Sequence, residues 1–243
     1  MSRACLRLAL GLCLILATGT AEAQEMTIDL GEGGSLTARS IQLIVLITVL
    51  SIAPGLAIMV TCFPFLVTVL SILRTAIGLQ QSPPNMLIVS LALFLTYFIM
   101  EPVFQAAWVA GVAPMIDGTL PLEEAARAAI APFRTFMAGR VDPDTLATMA
   151  ALRPPVDGSA PEEVPLSVLV PSFMLSEIAR AFQIGFLVYL PFLIIDLVAA
   201  AVLMSMGMMM VPPAVISLPF KLAFFVIADG WSLIAGSLVR SYS

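Results

Sequence analysis

Histidine is absent from this 243-residue sequence, and lysine occurs once, at Lys221. The lack of histidine excludes Ser-His-Asp and Cys-His catalysis, histidine metal ligands and histidine pH switches. The sequence also contains no phosphate-binding glycine loop and no zinc-type cysteine spacing. Because the net charge is −5 and no lysine/arginine cluster is present, no nucleic-acid partner is expected. These absences predict a protein that is not an enzyme and that binds neither a cofactor nor a metal.

Cysteine is also scarce, with three residues at Cys5, Cys13 and Cys62. The first two fall in a segment that we expect to be removed from the mature chain. One remaining thiol cannot form an internal disulfide. Cys62 lies in apolar sequence, so we expect it to be a small buried hydrophobic residue.

Charged residues make up only 11% of the chain, whereas 60% of the residues are hydrophobic and the mean hydropathy is +1.05. Such a surplus of apolar surface must face lipid or other subunits. The composition therefore predicts an all-α membrane protein, built from helical hairpins with kinked or split helices.

Residues 1–23 have the pattern of a secretory signal peptide. Arg3 and Arg7 precede an apolar stretch at 8–16, and Ala21 and Ala23 form a cleavage site before Gln24. Cleavage there would place the mature N-terminus on the outer side of the membrane. Residues 24–40 are polar and contain glycine, so we expect a flexible mature N-terminus.

Residues 41–110 are predicted to form a first apolar hairpin. The run at 41–73 exceeds one bilayer crossing of about 30 Å, and Pro54 and Pro64 predict that it is kinked or split. Arg74 ends this run. The second run starts at Asn85, and Glu101 with the following proline is expected to interrupt it near its far end.

Residues 111–171 differ in composition, with eight acidic residues and four arginines. Helices are predicted at 122–138 and 144–152, the second with Asp142 or Asp144 as its start signal. Residues 153–165 are rich in proline and acidic residues and predict a loop. We expect a small α-helical extracytoplasmic module that cannot form a large core of its own.

Residues 172–243 are predicted to form a second apolar hairpin containing several charges. Glu177 and Arg180 are three residues apart and can pair on one helix face. Asp196 lies deep in apolar sequence, where a buried hydrogen bond between helices and a functional role are both open. Lys221 and Asp229 are eight residues apart, which predicts that they share one helix face. Asp196 and Lys221 are predicted to act in assembly, because each is alone in apolar sequence.

The loop at 207–213 combines three consecutive methionines with helix-breaking residues. Gly207 precedes Met208, Met209 and Met210, and a pair of prolines follows at Pro212 and Pro213. Because adjacent prolines cannot continue a helix, the methionines are predicted to lie on a tight connection. From the residues alone, this loop could dip into lipid or pack on a neighbouring helix.

Several short motifs follow one another along the chain. They are RTAIG at 74–78, SPPN at 82–85, LALFLT at 91–96, SE at 176–177, AFQIGF at 181–186, LPFLIIDLV at 190–198, VLMSMGMMMVPP at 202–213, SLPFK at 217–221 and DGW at 229–231. In this order they resemble the FliP family of flagellar biosynthesis proteins. The resemblance covers about 41–110 and 171–243, whereas the module at 111–170 is not diagnostic.

The resemblance implies a core subunit of a type III protein export gate in the bacterial inner membrane at the flagellar basal body. It implies a homo-oligomer, a pentamer in the family, that forms a helical cone with FliR and FliQ, with FlhB and FlhA as further partners. Unfolded flagellar subunits would pass through its centre. The family's methionine-rich gasket would correspond to Met208, Met209 and Met210, which Gly207 and the two prolines would orient.

Three other interpretations compete with this one. A virulence-type secretion homologue, the SctR class, is disfavoured by the signal peptide. An ion-coupled transporter would use Glu177, Asp196, Lys221 and Asp229 as a charge relay, but no internal repeat is evident. Without histidine, an intramembrane enzyme would need a Ser-Lys or a paired-Asp site, and Lys221 has no obvious serine partner beyond Ser217.

Overall fold

The computed structural model describes residues 36–79, 82–152, 164–208 and 210–242. The predicted signal peptide, with Ala21, Ala23 and Gln24 at its cleavage site, lies outside these residues. The chain divides into two compact units, Met1–Leu50 and Ser51–Ser243. The described residues are helical with short connections and contain no strand, which confirms the all-α prediction.

Helix α1 (Leu36–Met59) begins inside the segment that was expected to be flexible, so residues 36–40 of that segment are helical. Pro54 lies inside this helix and does not split the apolar run. A proline is tolerated in an apolar helix when its surroundings accommodate the lost backbone hydrogen bond. The chain breaks instead at residues 60–62.

Helix α2 (Phe63–Ile77) starts where Pro64 can occupy the first turn, whose N–H groups need no helical partner. Gly78 ends it with a left-handed backbone, φ 88°. The apolar run at 41–73 is therefore two helices. One face of α2 is fully buried against its neighbours and forms the centre of the core. Its residues are Phe65, Leu66, Val69, Leu70, Leu73, Ala76 and Ile77.

Helix α3 (Asn85–Ala107) passes through Glu101 and Pro102 without interruption, so the predicted break there is wrong. It continues into a π-helical turn (Trp108–Val112) and the short helix α4 (Ala113–Ile116). Before it, the Arg74 guanidinium donates to the Asn85 side chain and lies 3.5 Å from the Pro83 carbonyl. Arg74 thus holds together the end of α2 and the start of α3.

The polar module contains the two predicted helices, α5 (Leu122–Arg140) and α6 (Pro143–Ala151). Asp142 caps α6 by accepting from the Thr145 N–H at 2.9 Å, as its position predicted. Helix α5 packs against α3 and the π-helical turn. A Cβ at Gly111 would lie 2.4 Å from the Ala125 carbonyl oxygen, so only glycine allows this approach. Of the predicted loop, residues 153–163 lie outside the described part.

Helix α7 (Leu166–Ser205) is one continuous 40-residue helix that contains Pro171 and Pro191. The predicted boundary between residues 171 and 172 falls inside this helix. At 1.5 Å per residue, α7 is about 60 Å long, twice the hydrocarbon thickness of about 30 Å. It packs extensively on α2, where a Cβ at Gly185 would clash with Ile72.

After the methionine turn, α8 (Pro213–Ile227) and α9 (Gly230–Arg240) meet at a bend of 61°. Asp229 has a left-handed backbone there, with φ 47°. The Phe225 ring covers Gly230 so closely that a Cβ would lie 2.2 Å from it. Because the helix breaks between them, Lys221 and Asp229 do not share one helix face, contrary to the prediction.

Three described helices are long and apolar enough to cross a membrane: the parts of the chain at Ser40–Met59, Asn85–Ile116 and Leu166–Ser205. A fourth is counted if the bent pair α8–α9 is one span. The four predicted apolar regions match this higher count, although their boundaries differ.

Candidate functional site

Glu177 is the centre of a buried ionic cluster on α7, with a side chain that is fully buried. The predicted partner Arg180 lies 3.2 Å away, and Arg140 at the end of α5 lies 3.3 Å away. The Tyr242 hydroxyl donates to the other carboxylate oxygen. A buried carboxylate needs such partners, because an unpaired one would be too costly to desolvate.

Arg140 links this cluster to the C-terminal segment. Its guanidinium carbon lies 3.9 Å from the centroid of the Tyr242 ring, and its Nη1 donates to the Ser241 carbonyl at 2.8 Å. Burial, followed by the negative charge of Glu177, raises the pKa of Tyr242 above its usual value. The hydroxyl therefore stays protonated and can donate. The cluster joins the polar module, the long helix and the chain's last residues.

A second ionic site lies further along the same hairpin. Lys221 on α8 is buried and donates to Asp196 on α7 at 2.5 Å and to the Ala76 carbonyl at 3.0 Å. The Ser217 hydroxyl donates to the other oxygen of Asp196 at 2.6 Å. Lys221 thus bonds α8 to α7 and also satisfies a carbonyl at the end of α2.

This pairing changes two expectations drawn from the sequence. Asp196 and Lys221 are not alone, since each is the other's partner within one chain. The geometry also disfavours a Ser-Lys catalytic pair, because Ser217 and Lys221 both donate to Asp196 rather than to each other. Of the two roles left open for Asp196, the described residues form the hydrogen bond between helices.

The methionine turn joins the two helices beyond this second site. The Gly207 N–H bonds the Met204 carbonyl at 3.1 Å, and the Met208 N–H bonds the Leu203 carbonyl at 3.0 Å. With Gly207 at φ 74°, these bonds form the Schellman motif that ends α7. The predicted tight connection is therefore present.

The methionine side chains of the turn are exposed. Met208 is 42% exposed and Met210 is 98% exposed, while Met209 lies outside the described residues. Pro212 precedes α8, and Pro213 occupies its first turn, which suits a residue without an N–H. Asp196 lies nine residues before the end of α7, which places the paired charges about 14 Å from the turn. The turn is therefore an exposed apolar tip on a hairpin whose two helices are joined by the Lys221–Asp196 ion pair.

The other predicted charges lie elsewhere. Arg74 bridges α2 and α3, Glu101 is exposed on α3 and accepts from Gln105 at 3.2 Å, and Asp229 is exposed at the α8–α9 bend. Glu177 and Asp196 are 19 residues apart on one helix, about 29 Å. Of the four charges predicted for a relay, Asp196 and Lys221 are brought together, whereas Glu177 and Asp229 do not join them. Within the described ranges, no three acidic or cysteine side chains form a group that could hold a metal ion.

Sequence reasoning did not identify Arg140 or Tyr242 as members of a site. Arg140 was one of four arginines in a polar stretch, and Tyr242 had no recognisable motif around it. Their contacts with Glu177 span 37 and 65 residues of sequence, so no local signal could have indicated them.

A protein-family model described as the FliP family matches residues 46–238. Flagellar biosynthetic protein FliP of Caulobacter vibrioides is 53% identical over 230 residues, which cover 95% of this chain and 86% of that protein. The protein of the same name from Bacillus subtilis is 45% identical, over 84% of this chain and 92% of its own length. The one from Aquifex aeolicus is also 45% identical, over 94% and 97% respectively.

Proposed function

The chain belongs to the FliP family, and we propose that several copies of it form the pore of the flagellar type III protein export gate, closed by their methionine turns. It is a membrane component of the flagellar export apparatus by its family and its long apolar helices. In the proposal, unfolded flagellar subunits pass through the centre of the assembled pore.

The observation that carries this proposal is the exposed apolar tip of a hairpin whose two helices are joined by an ion pair. Met208 and Met210 project from a capped turn, and the Lys221–Asp196 pair connects the two helices behind them. A single exposed apolar tip encloses nothing, so a seal requires the tips of several copies to meet. Its function thus exists in the oligomer.

Methionine suits a seal that must open and close. Its thioether side chain is flexible and fills irregular shapes, whereas β-branched side chains are restricted at χ1. A ring built from Met208, Met209 and Met210 can close on itself and exclude water by dewetting. The same ring can deform around a passing chain of varied side chains. Gly207, Pro212 and Pro213 set the direction of the turn.

We place the protein in the bacterial inner membrane with the mature N-terminus outside. This orientation follows from the proposed removal of residues 1–23, and it makes the polar module periplasmic and the methionine turn cytoplasmic. The 40-residue α7 is about twice as long as a bilayer crossing, which supports a pore that extends beyond the hydrocarbon layer.

The proposed partners are other copies of this chain, together with FliR and FliQ, and with FlhB and FlhA as further contacts. The support is the amount of apolar surface that the described helices leave exposed. Examples on three different helices are Phe94, Phe186 and Phe220, each at least 60% exposed. Bulky apolar side chains exposed on one subunit mark contacts with lipid or with other subunits.

The buried charges are proposed to set the shape of each subunit. Arg180 and Arg140 hold Glu177 at the base of the hairpin, and Lys221 holds Asp196 near its tip. An ion-coupled transporter finds less support, because about 29 Å separates these two sites along α7. The names of the relatives favour the flagellar system over a virulence-type homologue.

The test replaces Met208, Met209 and Met210 by alanine together. Because the turn contributes little to the buried core, we expect the variant to assemble as the unmodified protein does. The shorter side chains should leave an opening at the pore's centre. The measurement is the ion permeability of cells that contain the assembled variant, with the amount of particle determined in parallel.

Met86→Ala provides the matched control, since Met86 is 79% exposed but lies in the first turn of α3. It should leave permeability at the unmodified level. If the triple variant assembles and the membrane stays impermeable to small ions, the methionine turn does not close the pore.

A further inference from the structure

An acidic side chain lies at the middle of an apolar helical stretch and faces outward. Glu101 is the only charged residue between Asn85 and Ile116, a span of 32 residues, and it lies near the centre of that span. It is exposed and accepts a hydrogen bond from Gln105, one turn further along. No residue in the described part of the chain forms an ion pair with Glu101.

Lipid is a poor cover for this face. A charged side chain at the centre of a bilayer is costly, and no cation among the described residues pairs with Glu101 to offset that cost. Yet the same face carries Phe94 and Tyr97, which are 71% and 63% exposed, and Trp108. Large aromatic side chains are enriched in protein interfaces, and an acid covered there needs a partner of opposite charge.

Arg240 has the complementary charge and is also exposed. It is the last residue of α9, and its side chain donates to the Ser237 hydroxyl at 3.3 Å. Helix α9 packs against α3, and Leu238 and Met100 are buried in the same core cluster. Arg240 therefore lies on an element that runs beside the Glu101 helix.

Copies in a cyclic oligomer are related by rotation about one axis. Rotation about an axis along the helices preserves the height of each residue, so charges at similar height can meet across neighbouring copies. We propose that the Glu101 face of α3 is an interface with a second copy of this chain, in which Glu101 pairs with Arg240 of that copy. This inference rests on the proposed homo-oligomer.

The test reverses each charge separately. We expect Glu101→Arg and Arg240→Glu each to lower the amount of assembled particle at least about tenfold, because each places like charges across the interface. The double variant in one chain should restore assembly in full, since every contact again joins opposite charges. Co-expression of the two single variants should recover part of the assembly, because in a ring with an odd number of copies one contact must still join like charges. Glu123→Arg makes the same charge change on the exposed polar module and should leave assembly unchanged. The measurement is native gel electrophoresis of the detergent-extracted particle.

The other outcomes overturn the proposal. If both single variants assemble normally, lipid or water covers the face. If the double variant in one chain assembles but co-expression yields no more particle than the single variants do, the two charges pair within one chain. If neither restores it, a different protein covers the face.

Milder variants keep the test decisive if the reversed ones do not fold. Glu101→Gln and Arg240→Gln should each lower the amount of assembled particle. The double variant should assemble no worse than either single variant, because once one partner of a pair is lost, removal of the other has no further effect. Additive losses would overturn the pairing. Because the readout is assembly rather than ion leakage, this result is independent of the test of the methionine turn.

Discussion

Removal of the Asp196 carboxylate should destabilise the protein more than removal of its lysine partner. In Asp196→Ala, the Lys221 ammonium stays buried with one remaining partner, the Ala76 carbonyl. Breaking a buried ion pair in this way costs about 3–5 kcal/mol. In Lys221→Met, the Asp196 side chain is 31% exposed and still accepts from Ser217, so a smaller loss of about 1–3 kcal/mol is expected.

The double variant Asp196→Ala with Lys221→Met leaves no buried charge. Its loss should be close to that of Lys221→Met alone, and therefore smaller than that of Asp196→Ala. The assay is denaturant unfolding of the purified protein in detergent micelles, followed by circular dichroism, for the unmodified protein and the three variants. Comparison of the four gives the coupling between the two side chains.

Two results would refute this reasoning. Equal losses for the two single variants would mean that the burial of Lys221 does not determine the cost. A double variant whose loss equals the sum of the single losses would mean that the two side chains do not interact.

Two further predictions concern the polar module. Gly111→Ala should lower the free energy of unfolding by about 1–3 kcal/mol, because the new Cβ would meet the Ala125 backbone. The same unfolding assay measures this loss. Gly139→Ala is the control and should have no comparable effect, because no neighbouring atom lies within 4 Å of its new Cβ. Hydrogen bonds from the Thr145 N–H and hydroxyl hold the pKa of Asp142 below its usual 3.8. The ionised carboxylate therefore stabilises α6 fully above pH 3.8. This stabilisation is lost as the pH falls through the lowered pKa of Asp142. Amide exchange in α6, measured between about pH 5 and pH 2, should show that loss in the unmodified protein and not in Asp142→Asn.

The local features of the fold were predictable from sequence because short-range chemistry determines them. Asp142 at the start of α6, Pro64 in the first turn of α2 and Gly207 at the end of α7 all lie where capping and backbone rules place them. The methionine turn was predictable for the same reason, since Pro212 and Pro213 cannot extend a helix.

The errors arose where packing overrides a local rule. Pro54 was expected to kink or split its apolar run and Pro102 to interrupt the next one, yet each lies inside a helix. Conversely, helical spacing predicted one face for Lys221 and Asp229, but the contact of Phe225 with Gly230 accompanies a break between them. Spacing can be extrapolated only as far as the helix extends.

The ionic sites required contacts over long sequence distances. Glu177 and Arg180 are three residues apart and were predictable, whereas Arg140 and Tyr242 join them through the tertiary fold. Asp196 and Lys221 were recognised separately as unusual charges in apolar sequence. Their pairing depends on the turn that brings α8 back along α7.

The most direct measurement of the central claim is the conductance of purified, assembled particles in a planar lipid bilayer. We predict that particles of the unmodified chain conduct no ions at rest. Particles in which Met208, Met209 and Met210 are replaced by alanine should conduct continuously. If neither kind of particle conducts ions, the proposal that the methionine turns close the pore is contradicted.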